Sequence, residues 1–72
     1  MRERMNFIKA EVDVYVDTST GLLLQVRPAG LCVEVCLGNA LLRRFGRNQN
    51  NDITPYMEDL VRKLNSGEAS NS

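Results

Sequence analysis

The chain has no histidine and no tryptophan, and only two cysteines, two prolines, two tyrosines and two phenylalanines in 72 residues. Without histidine, the commonest metal ligand and the commonest general base near neutral pH are both missing. Two cysteines alone do not complete a structural zinc set. Nucleophilic catalysis lacks its base and its Gly-x-Ser-x-Gly elbow, and the glycines fall singly between apolar runs rather than in a phosphate-cradling loop. No apolar run approaches the roughly 20 residues a membrane helix needs. The opening MRERMNFIK mixes charges and has no apolar stretch of the secretory kind. Nine basic residues balance nine acidic ones, so no global field draws the chain to nucleic acid or an anionic membrane. These absences predict a protein that is not an enzyme, has no cofactor and no metal, and resides in the reducing cytoplasm, where free thiols are the default.

What is present is the composition of a small globular domain, 43% hydrophobic and 25% charged. Such a short chain has little core to spend, which raises the expectation of a partner subunit. From Asn6 to Asp17, Ile8, Ala10, Val12, Val14 and Val16 alternate with Lys9, Glu11, Asp13, Tyr15 and Asp17, the period of a half-buried strand. Further apolar runs, LLLQVR, LCVEVCL and ALLRRF, follow, separated by the turn-forming stretches TSTG, PAG and GN. Pairing Val16 with Leu24, Val26 with Val33 and Leu37 with Ala40 puts one aliphatic set on one face. It also sets Asp13 opposite Arg27 and Glu34 opposite Arg43. A competing local reading makes Asn39 a helix cap and Ala40–Arg44 a helical turn.

After the polar stretch RNQNND (residues 47–52), Thr54 as N-cap and Pro55 in the first turn predict a helix. Ile53, Met57, Leu60, Val61 and Leu64 form its apolar stripe, Glu58–Arg62 and Asp59–Lys63 its i,i+4 pairs, and Gly67 its stop. The expected fold class is therefore α+β: a four-stranded antiparallel β-meander with one C-terminal α-helix packed on one face. Residues 1–66 form a single domain and residues 67–72 a disordered tail.

The cysteines of GLCVEVCLG stand four residues apart. On a strand that is about 13 Å, too far for an internal disulfide or a shared metal ion. Cys32, Glu34 and Cys36 then share the face opposite Val33, Val35 and Leu37. One helix covers one face of a sheet, so Tyr15, Leu23, Cys32, Cys36, Leu41 and Phe45 are expected on an outer apolar face, which marks an interface. Phe7, on a first strand extending beyond its neighbour, adds an open edge. The function this predicts is a small non-catalytic interaction module, an adaptor, inhibitor or regulator, homodimeric through that face or edge and also binding another protein. The alternative is a nucleic-acid-binding regulator. It would use Arg27, Arg43, Arg44 and Arg47 with Asn48, Asn50 and Asn51, the side chains that read guanine and adenine edges, and would stack Phe45 on a base. Asp13, Asp17 and Glu34 could in principle supply paired carboxylates, but arginine partners make structural ion pairs the better expectation. A metal or redox switch at the cysteines is the remotest option.

Overall fold

A computed structural model describes residues 4–67. Expectations for residues 1–3 and for the tail at 68–72 fall outside them. Five antiparallel strands lie in chain order: β1 (Phe7–Glu11), β2 (Val14–Asp17), β3 (Leu23–Ala29), β4 (Cys32–Leu37) and β5 (Ala40–Gly46). A 3-10 segment, Arg47–Asp52, leads into helix α1 (Ile53–Ser66). The antiparallel sheet and the single C-terminal helix are as expected; the strand count is five, not four.

The extra strand arises because residues 6–17 are not one strand but a hairpin. The chain reverses at Val12–Asp13, where Asp13 takes a left-handed φ of 58°. Aspartate tolerates that conformation better than most residues. The Thr54 hydroxyl, on α1, donates to Asp13 Oδ1 at 2.8 Å and holds the turn. Thr54 is therefore not the N-cap; that position is Asp52.

The second correction is one of register. Val16 faces Leu23 rather than Leu24, and Tyr15 faces Leu24. A one-residue slip turns a strand over. Tyr15 and Asp17 therefore point toward the helix, and Ile8, Val14 and Val16 point away. The turn after β2 fixes this register. Asp17 N–H donates to the Leu22 carbonyl at 2.8 Å and Gly21 N–H to the Asp17 carbonyl at 2.7 Å. The buried Asp17 carboxylate accepts from Asn6 N–H (2.8 Å), Ser19 N–H (3.3 Å) and the Thr20 hydroxyl (2.7 Å). The slip thus leaves Asp17 with three satisfied hydrogen bonds and buries Tyr15 in place of a smaller valine.

The β3–β4 turn is tighter than expected, so Val26 faces Val35 and Leu24 faces Leu37. This shift is by two residues and leaves the faces unchanged. Gly38 and Asn39 form the expected β4–β5 turn with Leu37 opposite Ala40. Gly38 sits at φ 59°, a backbone conformation that favours glycine, and a Cβ there would also push on the tip of the Leu22 side chain at 2.9 Å. Residues 40–44 are strand, not a helical turn, but the register shifts between Val35 and Cys36, leaving Leu42 as an extra residue. Val35 then faces Arg43, and Val33 faces Phe45. Glu34 consequently pairs with Arg44, at 2.9 Å, rather than with Arg43. The expected Asp13–Arg27 pair is replaced by Arg27 opposite Glu34 and Asp13 on Thr54.

Phe7, Tyr15, Leu24, Val35, Phe45, Ile53 and Met57 form the buried core, flanked by Leu60, Val61 and Leu64 of the expected helical stripe and by Tyr56. On the solvent side Asp59 meets Lys63 at 3.1 Å, as expected, and also Arg62 at 2.6 Å. Gly67 ends the helix at φ 85°, its N–H reaching the Leu64 carbonyl at 3.3 Å.

Candidate interaction surfaces

The register assembles the outer face row by row. Ile8, Val16 and Leu23 lie side by side across β1, β2 and β3. Beside them run Val14, Gln25, Cys36 and Leu41 across β2 to β5. A third row is ionic: Arg27, Glu34 and Arg44. The last holds Ala29, Cys32 and Gly46. The first two rows are apolar except for Gln25, and the bulged Leu42 adjoins Leu41. Ile8 is 52% exposed, Leu23 38%, Leu41 48% and Leu42 39%, and the helix-side core takes in none of them. Cys36 is buried within the patch, Cys32 is half-buried, and both thiols are free.

Of the seven residues expected to form the interface, Leu23, Cys32, Cys36 and Leu41 do share this face. Phe7, Tyr15 and Phe45 do not: all three are buried beneath the helix. The register slip carried the first two across the sheet and the β5 bulge carried the third. Ile8, Val14 and Val16 take their place on the outer face, and the strand's own alternation had assigned these to the core. The aromatic rings at Phe7 and Tyr15, larger than any valine, were the available hint.

The expected open edge at β1 is partly closed. Phe7 N–H donates to Asn65 Oδ1 at 2.7 Å, and Asn65 Nδ2 donates to the Phe7 carbonyl at 3.1 Å. Met5 N–H reaches the Leu64 carbonyl at 3.2 Å. The last turn of α1 thus acts toward β1 as a neighbouring strand would.

The seven basic and amide residues of the alternative reading do not converge. Arg43 and Arg44 leave β5 on opposite faces. The Arg43 guanidinium lies over Phe45 (4.7 Å) and Tyr56 (5.3 Å), whose rings meet edge to face at 5.5 Å. Arg44 donates through Nε and Nη2 to Glu34 Oε2. Arg27 is exposed on β3, and Arg47, Asn48, Asn50 and Asn51 are exposed on the 3-10 segment. Phe45 is 1% exposed and offers no ring to a base. A groove of about 450 Å³ lies between the β3–β4 turn and the 3-10 segment, lined by Pro28, Gly30, Leu31, Cys32, Val33, Arg47 and Asn50.

Electrostatic perturbations concern structure. Thr20, Asn6 and Ser19 hydrogen bonds hold the Asp17 carboxyl below the usual carboxylate value, and the Arg62 and Lys63 bonds do the same for Asp59. Burial, then the negative charges of Glu58 and Asp13, push the Tyr15 phenol up. Among the described residues no three Cys, Asp or Glu side chains cluster as metal ligands would, and no helix is long and apolar enough to cross a membrane. No family model matches the chain, and no curated protein or solved structure does.

Proposed function

We propose that this chain is a small non-catalytic interaction module that works as a homodimer through the outer face of its sheet. In that form it would serve as an adaptor, inhibitor or regulator by occupying a partner protein's surface. One observation carries the reading: α1 covers one face, and the other exposes Ile8, Leu23, Leu41 and Leu42 in two neighbouring rows that Val14, Val16 and Cys36 connect. A contiguous apolar face of this kind favours burial against another surface. Two such faces packed about a two-fold axis would stack their sheets about 10 Å apart. The Arg27–Glu34–Arg44 row would then form a polar rim beside the apolar centre. The asparagine clasp on Phe7 makes the face a better candidate than the β1 edge. Cytoplasmic residence suits this reading, because Cys32 and Cys36 would lie reduced in or beside the interface.

Sedimentation velocity, with and without reductant, tests the proposal. The wild-type chain is expected to run as a dimer in both, and Leu23→Asp with Leu41→Asp as a folded monomer. A monomeric wild type, or a double variant that stays dimeric, would sink it. The exposed Arg47, Asn48, Asn50 and Asn51 favour, more weakly, a nucleic-acid-binding regulator. An Arg27→Glu/Arg47→Glu variant, both positions exposed, should then abolish a low-salt mobility shift; absence of any wild-type shift ends that reading.

A further inference from the structure

The groove lies at the opposite end of β3 and β4 from Leu23 and Leu41, and its chemistry is one-sided. Pro28, Leu31 and Val33 give it an apolar wall, and no carboxylate lines it. Arg47 and Asn50 border it with exposed side chains, and among the described residues neither side chain has a hydrogen-bond or ion-pair partner. This sets Arg47 apart from Arg44, which Glu34 holds, and from Arg43, which lies on two rings. Leu31 is 75% exposed at the tip of a tight turn, where polar residues or glycine are usual.

We propose that this groove captures the free C-terminal end of a partner polypeptide whose last side chain is apolar. The Arg47 guanidinium takes the terminal carboxylate in a charge-assisted, bidentate pair. Pro28, Leu31 and Val33 receive the last side chain. The Asn50 carboxamide pairs with the adjoining backbone amide, both donating and accepting. The molecule already makes that kind of contact, since Asn65 grips both polar groups of Phe7. The groove's volume of about 450 Å³ falls in the range of roughly 300–1,000 Å³ typical of ligand sites. A nucleotide fits less well, because no aromatic ring lines the groove for a base to stack on.

The test is an amide-resolved NMR titration of the full chain with acetyl-Ala-Ala-Leu, as the free acid and as the C-terminal amide. The free acid is expected to shift the amides of residues 29–33 and 47–51 saturably and to bind roughly tenfold more tightly than the amide form. Arg47→Gln should erase that difference, and Leu31→Asp should abolish saturable binding; both positions are exposed, so neither change threatens the fold. Equal binding of acid and amide, or shifts elsewhere, overturns the proposal. So does hexanoate binding as tightly as the peptide, which would mark a small-carboxylate site. A thymidine oligonucleotide that shifts the same amides more tightly than the peptide would hand the groove to nucleic acid. None of these readouts depends on oligomeric state, so this test and that of the outer face fail independently.

Discussion

The two faces of the sheet are both apolar, and they are built from different stock. The helix side gathers the large residues: Phe7, Tyr15, Leu24 and Phe45 meet Ile53 and Met57, with Arg43 and Tyr56 closing the seam. The outer side is aliphatic and thinner, made of Ile8, Val14, Val16, Leu23 and Leu41 around the Cys36 thiol. Hydrophobicity does not decide which face the helix takes. The faces differ in ring size and in polar pairing: the covered face buries three aromatic rings, and the Asp17 carboxylate buried there accepts three hydrogen bonds. The uncovered face keeps its carboxylate, Glu34, in a solvent-exposed pair with Arg44.

Adjacent leucines offer the largest test of that difference. Leu24 is fully buried and Leu23 is 38% exposed. Leu24→Ala should cost about 2–5 kcal/mol in urea unfolding, enough to leave so small a domain marginal. Leu23→Ala should cost the protomer less than about 1 kcal/mol. Equal losses would mean that the faces are not distinct. Next comes pH. The Asp17 carboxyl titrates below its ordinary value of 3.8, so its stabilisation is complete above that value. As the pH falls below it, the unfolded state takes up its proton first, and the contribution disappears as the pH passes through the folded value. Asp17→Asn should flatten this acid limb of the urea midpoint; an unchanged limb would assign it to other carboxylates, Asp59 first. Asn65→Ala follows, with an expected loss of about 1–2 kcal/mol and faster hydrogen exchange at the Phe7 amide. Smallest is Glu34→Gln on the outer face. An exposed pair of this kind is worth under about 1 kcal/mol, and high salt should erase the difference from wild type.

Local chemistry was readable where it settles the geometry unaided. Gly38–Asn39 announces its turn, Gly67 its helix end, and Met57, Leu60, Val61 and Leu64 their stripe. The Val12–Asp13 reversal hid because alternation continues through it and because its anchor, Thr54, lies 41 residues away. The same blindness misplaced Phe7 and Tyr15: period-two alternation says that a strand has two faces, not which one is covered. A single extra residue at Leu42 then turned Phe45 inward and exchanged Arg43 for Arg44 as the partner of Glu34. Within the candidate interface, Leu23, Leu41 and the thiols were legible because the β3–β4 shift is by an even two residues, which keeps the faces, and because Leu41 pairs with Cys36 before the β5 bulge. The groove was not, because it joins Pro28 and Leu31 to Arg47 and Asn50, which meet only once the sheet has formed.

The clasp between Asn65 and Phe7 has a consequence in time. The two residues are 58 positions apart, so a ribosome delivers the first strand long before the group that covers its edge. A contact of that span also carries the loop-closure entropy of nearly the whole domain, a cost that must be met before the clasp can hold. Until the last turn of α1 arrives, the nascent hairpin shows its Phe7 backbone together with Ile8 and Val16.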